Sequence, residues 1–180
     1  MDLSPTIEAK SDQQNYDDYL AGPKVVTISE VKQGNKEQPV EVHLVEFPGK
    51  PFKPSKTMRR LMVSAWGPDS RAYAGRCLRL YGEPTVMFGG KQVGGIRISH
   101  MSHLAGVHAA GLTVSRGTRA QFVVQPLATE ADAAGWIEGA STMEELVNAW
   151  TLVQRWGVQA GPELVALKDA RKETLSVSDS

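Results

Sequence analysis

Only one cysteine, Cys77, stands among the 180 residues, so neither an intrachain disulfide framework nor a cysteine-built zinc site can form. No run approaches the roughly 20 apolar residues that a membrane span requires. The N-terminal stretch MDLSPTIEAKSD lacks a basic n-region and an apolar h-region, which argues against secretion and for a reducing, cytoplasmic setting. Catalytic signatures are missing too. There is no G-x-x-x-x-G-K-[ST], no G-x-S-x-G, no H-E-x-x-H and no pair of acids in an apolar context. The middle of the chain is too short of carboxylates for two-metal nuclease chemistry. His100, His103 and His108 are the only candidate metal ligands, His43 being distant, and they read as polar loop histidines. Cys77 reads as a buried structural thiol. The expectation is a protein that is not an enzyme and carries no cofactor or metal.

Net charge is absent overall, since 20 Lys and Arg balance 20 Asp and Glu, but its distribution is uneven. Residues 1–20 carry a net −4, residues 21–127 a net +9 and residues 128–180 a net −5. Between Lys50 and Arg119 there are 12 bases against only Asp69 and Glu83. Such segregation points to a polyanionic partner for the middle of the chain.

Local patterning divides the chain into four parts. Residues 1–23 are polar and acidic and read as a flexible or loosely docked arm. KVVTISEVK and PVEVHLVEF alternate as strands and form an antiparallel hairpin. The proline- and lysine-rich PGKPFKPSK reads as an exposed basic loop or edge strand. Ser55 caps a helix, KTMRRLMVSAW, with Met58, Leu61, Met62 and Trp66 on its apolar side and Gly67-Pro68 as its stop. RCLRLYG is a strand with Cys77, Arg79 and Tyr81 on one face. GGKQVGGIRISH is a Gly89-Gly90 turn, a bend at Gly94-Gly95 and another strand; with no helix after it, it is no phosphate cradle. A last hairpin turns at Arg116-Gly117. Short strands so spaced, with one inserted helix, suit a small β-barrel over 24–127. Residues 128–175 read as a helical appendage, with Thr129 and Asp132 opening the first helix, Ser141 and Glu144 boxing the second, and Pro162 starting the third. Met143, Leu146, Val147, Trp150 and Val153 form the second helix's apolar stripe. Residues 176–180 are a polar tail.

Bases and aromatics interleave through the basic segment, the combination that single-stranded nucleic acid requires: cations follow the phosphates while ring faces stack unpaired bases. The candidate binding residues are Phe52, Lys53, Lys56, Arg59, Arg60, Arg76, Arg79, Tyr81, Phe88, Lys91 and Arg97. In this reading the Lys50–Lys56 loop, the helix and strands 76–81 and 91–97 line one groove, and Phe52, Tyr81 and Phe88 stack bases.

Lys56-Thr57 at the helix start, Tyr73-Ala74-Gly75-Arg76 with Leu80-Tyr81, and Gly90-Lys91 with Val93 and Ile96-Arg97-Ile98 resemble a family of small phage and prophage proteins, of the type found in actinobacteriophages. The resemblance covers roughly Lys24 to Ser102. It implies an OB-like barrel and a single-stranded-DNA-binding accessory of phage replication or recombination, working in the host bacterial cytoplasm. The combined expectation is a mainly β protein: an OB-like small β-barrel with one inserted helix, plus a C-terminal helical appendage. Its partners would be single-stranded DNA and, through the acidic appendage, replication or recombination proteins, with no membrane; self-association into a homo-oligomer stays open. The alternative is a protein-interaction module that binds a host factor through the appendage, the barrel serving as scaffold.

Overall fold

Val26 and Ile28, both fully buried, point the same way from strand β1 (Lys24–Gln33) and start the main core. Strand β2 (Val40–Leu44) adds Val42 and Leu44 from the antiparallel partner. Helix α1 (Lys56–Trp66) follows; the Ser55 hydroxyl accepts the Met58 N–H at 3.3 Å, and Met58, Leu61, Met62 and Trp66 go into the core, as their spacing requires. Gly67 ends the helix at φ +87°. Strands β3 (Cys77–Glu83), β6 (Gly95–Met101), β7 (His108–Ser115) and β8 (Thr118–Pro126) complete a six-stranded sheet in the order β2-β1-β3-β6-β8-β7. All neighbours are antiparallel except β6 and β8, which run parallel. A two-residue-per-strand hairpin, β4 (Met87–Phe88) and β5 (Lys91–Gln92), stands between β3 and β6. The computed structural model describes residues 11–115, 117–158 and 160–178, so Arg116 of the expected Arg116-Gly117 turn lies outside the described residues.

Among the described residues the chain is thus mixed α/β, with a six-stranded sheet, a two-stranded one and four α-helices, and the expected barrel is not closed: β2 and β7 end the larger sheet without pairing to each other. The reason lies in α1, which packs along β7. Arg60 donates to the Thr113 carbonyl at 2.7 Å, and Ser64 meets His108 at 2.9 Å, so side chains of the helix occupy the flank of β7.

Residues 1–23 were expected to be a flexible or loosely docked arm; residues 1–10 lie outside the described residues, and residues 11–23 are packed down. Tyr16–Tyr19 forms one 3-10 turn against β3, with Gln14 and Tyr19 buried and hydrogen-bonded to each other at 3.1 Å. The Gln14 N–H donates to the Pro51 carbonyl, and Lys50 pairs with Asp18 at 2.6 Å. Burial raises the Asp18 pKa, but Lys50 and the Asn15 N–H outweigh it and hold the carboxyl below its ordinary 3.8.

Helices α2 (Glu130–Gly139), α3 (Met143–Arg155) and α4 (Pro162–Ser178) bury a second core around Ile137, Leu146, Val153, Leu164 and Leu175. Thr129 and Asp132 cap α2 reciprocally, as the sequence predicts. The α3 cap falls on Thr142, not Ser141: the Thr142 hydroxyl accepts the Glu145 N–H, and the Glu145 carboxylate reaches past the cap to accept the Ser141 N–H. Ala149 takes the buried position expected of Val147, which is exposed. Arg171 of α4 closes the unit with two bonds to the Ala140 carbonyl.

Two contacts seat the helical unit on the sheet. Arg155 reaches Thr27 and Glu46, the latter at 3.1 Å. His103, itself at φ +57°, donates its N–H to the Trp156 carbonyl and lays its ring on Gly157. Gly157 is at φ +64°, and a Cβ there would lie 2.5 Å from that ring. Gly157→Ala therefore is expected to cost about 1–3 kcal/mol from the left-handed backbone alone, with a separate early loss of the helical unit visible by hydrogen exchange. Wild-type exchange throughout would show that the contact does not hold the two parts together. A second expectation follows from Asp18. A carboxyl lowered by folding stabilises above its ordinary value and ceases to do so as pH falls through the lower, folded one. Urea denaturation between pH 5 and pH 2 should show a steep loss of stability below about pH 4 that is shallower in Asp18→Asn.

Candidate functional site

Strand β3 alternates Leu78 and Leu80 into the core with Arg79 and Tyr81 outwards. The antiparallel register with β6 sets His100 beside Arg79 and Arg97 beside Tyr81, a bulge between the two rows keeping both pairs on the outer face. Across the sheet, β1 contributes Val25 next to Arg79, and β8 contributes Gln125 next to His100. The Arg97 guanidinium lies 5.2 Å from the centre of the Phe122 ring of β8, a cation–π pair. Burial pushes the Tyr81 hydroxyl above its ordinary pKa, with Glu83 adding to the rise and Arg97 opposing it. Burial, then Arg79, pushes His100 below 6.5, so its ring is neutral at pH 7. Glu83 is the acid at the end of this row, and bonds from the Thr85 hydroxyl and N–H keep it ionised.

The β4–β5 hairpin extends from the same two strands, directly beyond the Tyr81–Arg97 row. Gly89 and Gly90 have φ +56° and +78°, the geometry of a two-residue I′ turn. Phe88 at its tip is 80% exposed, and Met87, Lys91 and Val93 are exposed with it. An apolar tip in water is not explained by packing within the chain. The hairpin's base is fixed: the Tyr16 ring rests on Gly94, where a Cβ would come within 2.6 Å of it.

Three of the expected residues, Arg79, Tyr81 and Arg97, therefore share the outer face of β3 and β6, and two more, Phe88 and Lys91, stand exposed on the hairpin that joins these strands. The other six do not join them. Phe52, expected as an exposed stacking ring, is 1% exposed, because its backbone forms an isolated bridge with Val42 (2.8 and 2.9 Å) and turns the ring into the core. The side chain of Lys53 is 7% exposed and paired with Glu41 at 3.0 Å and Asp12 at 3.7 Å. Arg76 stacks on Trp66 at 5.2 Å. Lys56 and Arg60 are exposed on α1, Arg60 spent partly on Thr113. Arg59 is half-buried and lines a cavity between α1 and the β1–β2 hairpin. His100 is a member of the surface that the sequence reading missed, whereas Phe122, though within reach of Arg97, packs against the main core. Nothing local marked His100; the i, i+2 alternation of β8 sets Phe122 with the buried Val124 on the core side.

Cys77 is buried, its thiol 3.6 Å from the Thr27 hydroxyl. Ser64 donates to the Leu61 carbonyl at 2.8 Å, so His108 donates to Ser64, the reverse of the polarity that activates a nucleophile. Ser102 and His103 also touch, but Ser102 is fully buried. Among the described residues no three of His, Cys, Asp and Glu converge as metal ligands, and no helix is long and apolar enough to cross a membrane. Set against family models, curated proteins and solved structures, the chain matches none.

Proposed function

We propose that the protein binds single-stranded DNA on the outer face of β3 and β6, in the cytoplasm of a phage-infected cell, as a non-catalytic accessory of replication or recombination. One observation carries the reading: Arg79, Tyr81 and Arg97 lie on adjacent strands and lead directly to the exposed Phe88 and Lys91. Cations spaced along two strands follow a phosphate backbone, and a ring presented in water at the end of that track is a stacking platform. The strand order supports the same reading. β1-β3-β6 is an antiparallel meander, followed by the parallel step to β8 and the antiparallel return to β7. From β1 to β7 this matches the Greek-key order of an OB-type barrel, with β2 added beyond β1 and the sheet left open between β2 and β7, where α1 packs on β7. In that arrangement β3 and β6 are the second and third strands, the ones on which OB folds receive oligonucleotides. Recruitment of replication proteins by the acidic helical unit belongs to the same proposal.

Anisotropy of a labelled oligo-dT titrated across salt tests it, with duplex as competitor. Binding should weaken linearly in log–log form. Double charge reversal, Arg79→Glu with Arg97→Glu, should flatten the slope by about 1.4, the value for two single-strand phosphate contacts. Phe88→Ala should cost about 1–3 kcal/mol of affinity at unchanged stability. Binding that ignores both changes would remove this face from consideration and favour the helical unit as the interaction surface.

His100 adds a pH signature. Its ring is neutral in the free protein and sits beside Arg79; an adjacent phosphate would favour the imidazolium. Affinity should therefore rise as pH falls from 7.5 to 5.5, and His100→Gln should remove most of that rise. A pH dependence equal in the variant would place His100 outside the contact.

A further inference from the structure

A cavity of about 450 Å³ lies between α1 and the β1–β2 hairpin, away from the residues assigned to DNA. Small-molecule sites fall between roughly 300 and 1,000 Å³. Its walls are mainly apolar: Val31, Val40, Val42, Met62 and the ring of Tyr73. Two cations line it, and they differ. Lys32 is engaged by Glu30 at 2.6 Å. Arg59 is not engaged: its Nε is closed off from solvent and donates to no acceptor, and no carboxylate among the described residues pairs with its guanidinium. A buried donor on an ionised group almost always has a partner, because stripping it of water without replacement is costly.

The cavity thus offers one cation without an ionic partner in a mainly apolar recess. A nucleic-acid strand, with a charge on each phosphate, calls for a track of cations rather than one. A planar guanidinium matches a carboxylate through two parallel hydrogen bonds. We propose that the cavity binds a small amphipathic monocarboxylate, its carboxylate on Arg59 and its aliphatic or aromatic body against Val31, Val40, Val42 and Met62. The ligand's single negative charge balances Arg59, and its apolar part removes the valine surface from water. This assignment is independent of DNA binding at β3 and β6.

The test is a ¹H–¹⁵N correlation spectrum of the full chain titrated with 3-phenylpropionate and with octanoate. Each is compared with its primary amide, and inorganic phosphate serves as a bare oxyanion. The expected result is saturable shifts on the amides of β1, β2 and α1, at least ten-fold tighter for each acid than for its amide, with no saturable response to phosphate. Arg59→Met keeps the length of the side chain without the charge and should bring acid and amide to equal affinity, its thermal unfolding midpoint reporting that it is folded. Should that variant fail to fold, the acid-to-amide ratio on the unaltered chain decides. Equal binding of acid and amide, no binding at millimolar concentration, saturable binding of phosphate alone, or shifts confined to other elements would each overturn the assignment.

Discussion

Ser102, fully buried at the end of β6, satisfies all its polar groups at once, and three parts of the molecule meet through it. Its N–H donates to the Cys77 carbonyl at 3.0 Å, while its hydroxyl oxygen accepts the Cys77 N–H at 2.8 Å. Its carbonyl accepts the Trp66 indole N–H at 2.8 Å, which fixes the last turn of α1. Its hydroxyl also meets His103 Nδ1 at 2.8 Å. With one lone pair of that oxygen already taken, full satisfaction has Ser102 donating to a neutral His103, in keeping with burial and Arg76 pushing His103 below 6.5. In a dry interior each of these groups would be costly to leave unpaired. The fold of β3, the seating of α1 and the docking of the helical unit through the His103 N–H to Trp156 are therefore one coupled problem, solved at one residue.

That coupling decides which part of the outer sheet face is available. The helical unit meets the sheet where Thr27 pairs with Cys77, with Arg155 on Thr27 and Glu46 and His103 under Gly157. Cys77 shares the outward parity of Arg79 and Tyr81 and yet is buried, because this end is the covered one. The opposite end of the same two strands runs past Tyr81 and Arg97 into the hairpin and is open. A sheet face with one end closed by a docked unit and the other extended by an exposed hairpin has a direction, and a bound strand would meet Arg79 and Phe88 in a fixed order.

The sequence made the local features legible and left most non-local ones hidden. Ser55, the Met58–Leu61–Met62–Trp66 spacing and Gly67 define α1 because a cap, a 3.6-residue period and a left-handed stop all act within one helix. The Gly89-Gly90 turn is equally local. Phe52 was misread because Pro51, Lys53 and Pro54 describe an exposed loop, whereas its burial depends on a bridge to Val42, ten residues earlier. Val147 and Ala149 both fit a helical period, and only the helices packed against α3 select between them. The Arg155–Thr27 contact joins residues 128 positions apart and leaves no trace in either neighbourhood. At the site, strand alternation revealed Arg79 and Tyr81, but a register with a bulge in it was needed to bring Arg97 and His100 beside them.

Ion pairing sharpens what a count of bases leaves broad. Of the bases between Lys50 and Arg119, Lys50 is neutralised by Asp18, Lys53 by Glu41 and Asp12, and Arg71 by Asp69. The docked acidic segment thus cancels the very loop that looked most basic in sequence. Arg79, Lys91 and Arg97 have no carboxylate partner among the described residues, and exposed charges separated by more than about 8 Å are screened at physiological salt. The positive field that a diffusing polyanion meets is therefore set by local surpluses, such as those on β3, β6 and their hairpin and on α1 at Lys56 and Arg60, not by the net charge of zero. Arg59 stands apart from that surface, since its guanidinium lines the apolar recess between α1 and the β1–β2 hairpin.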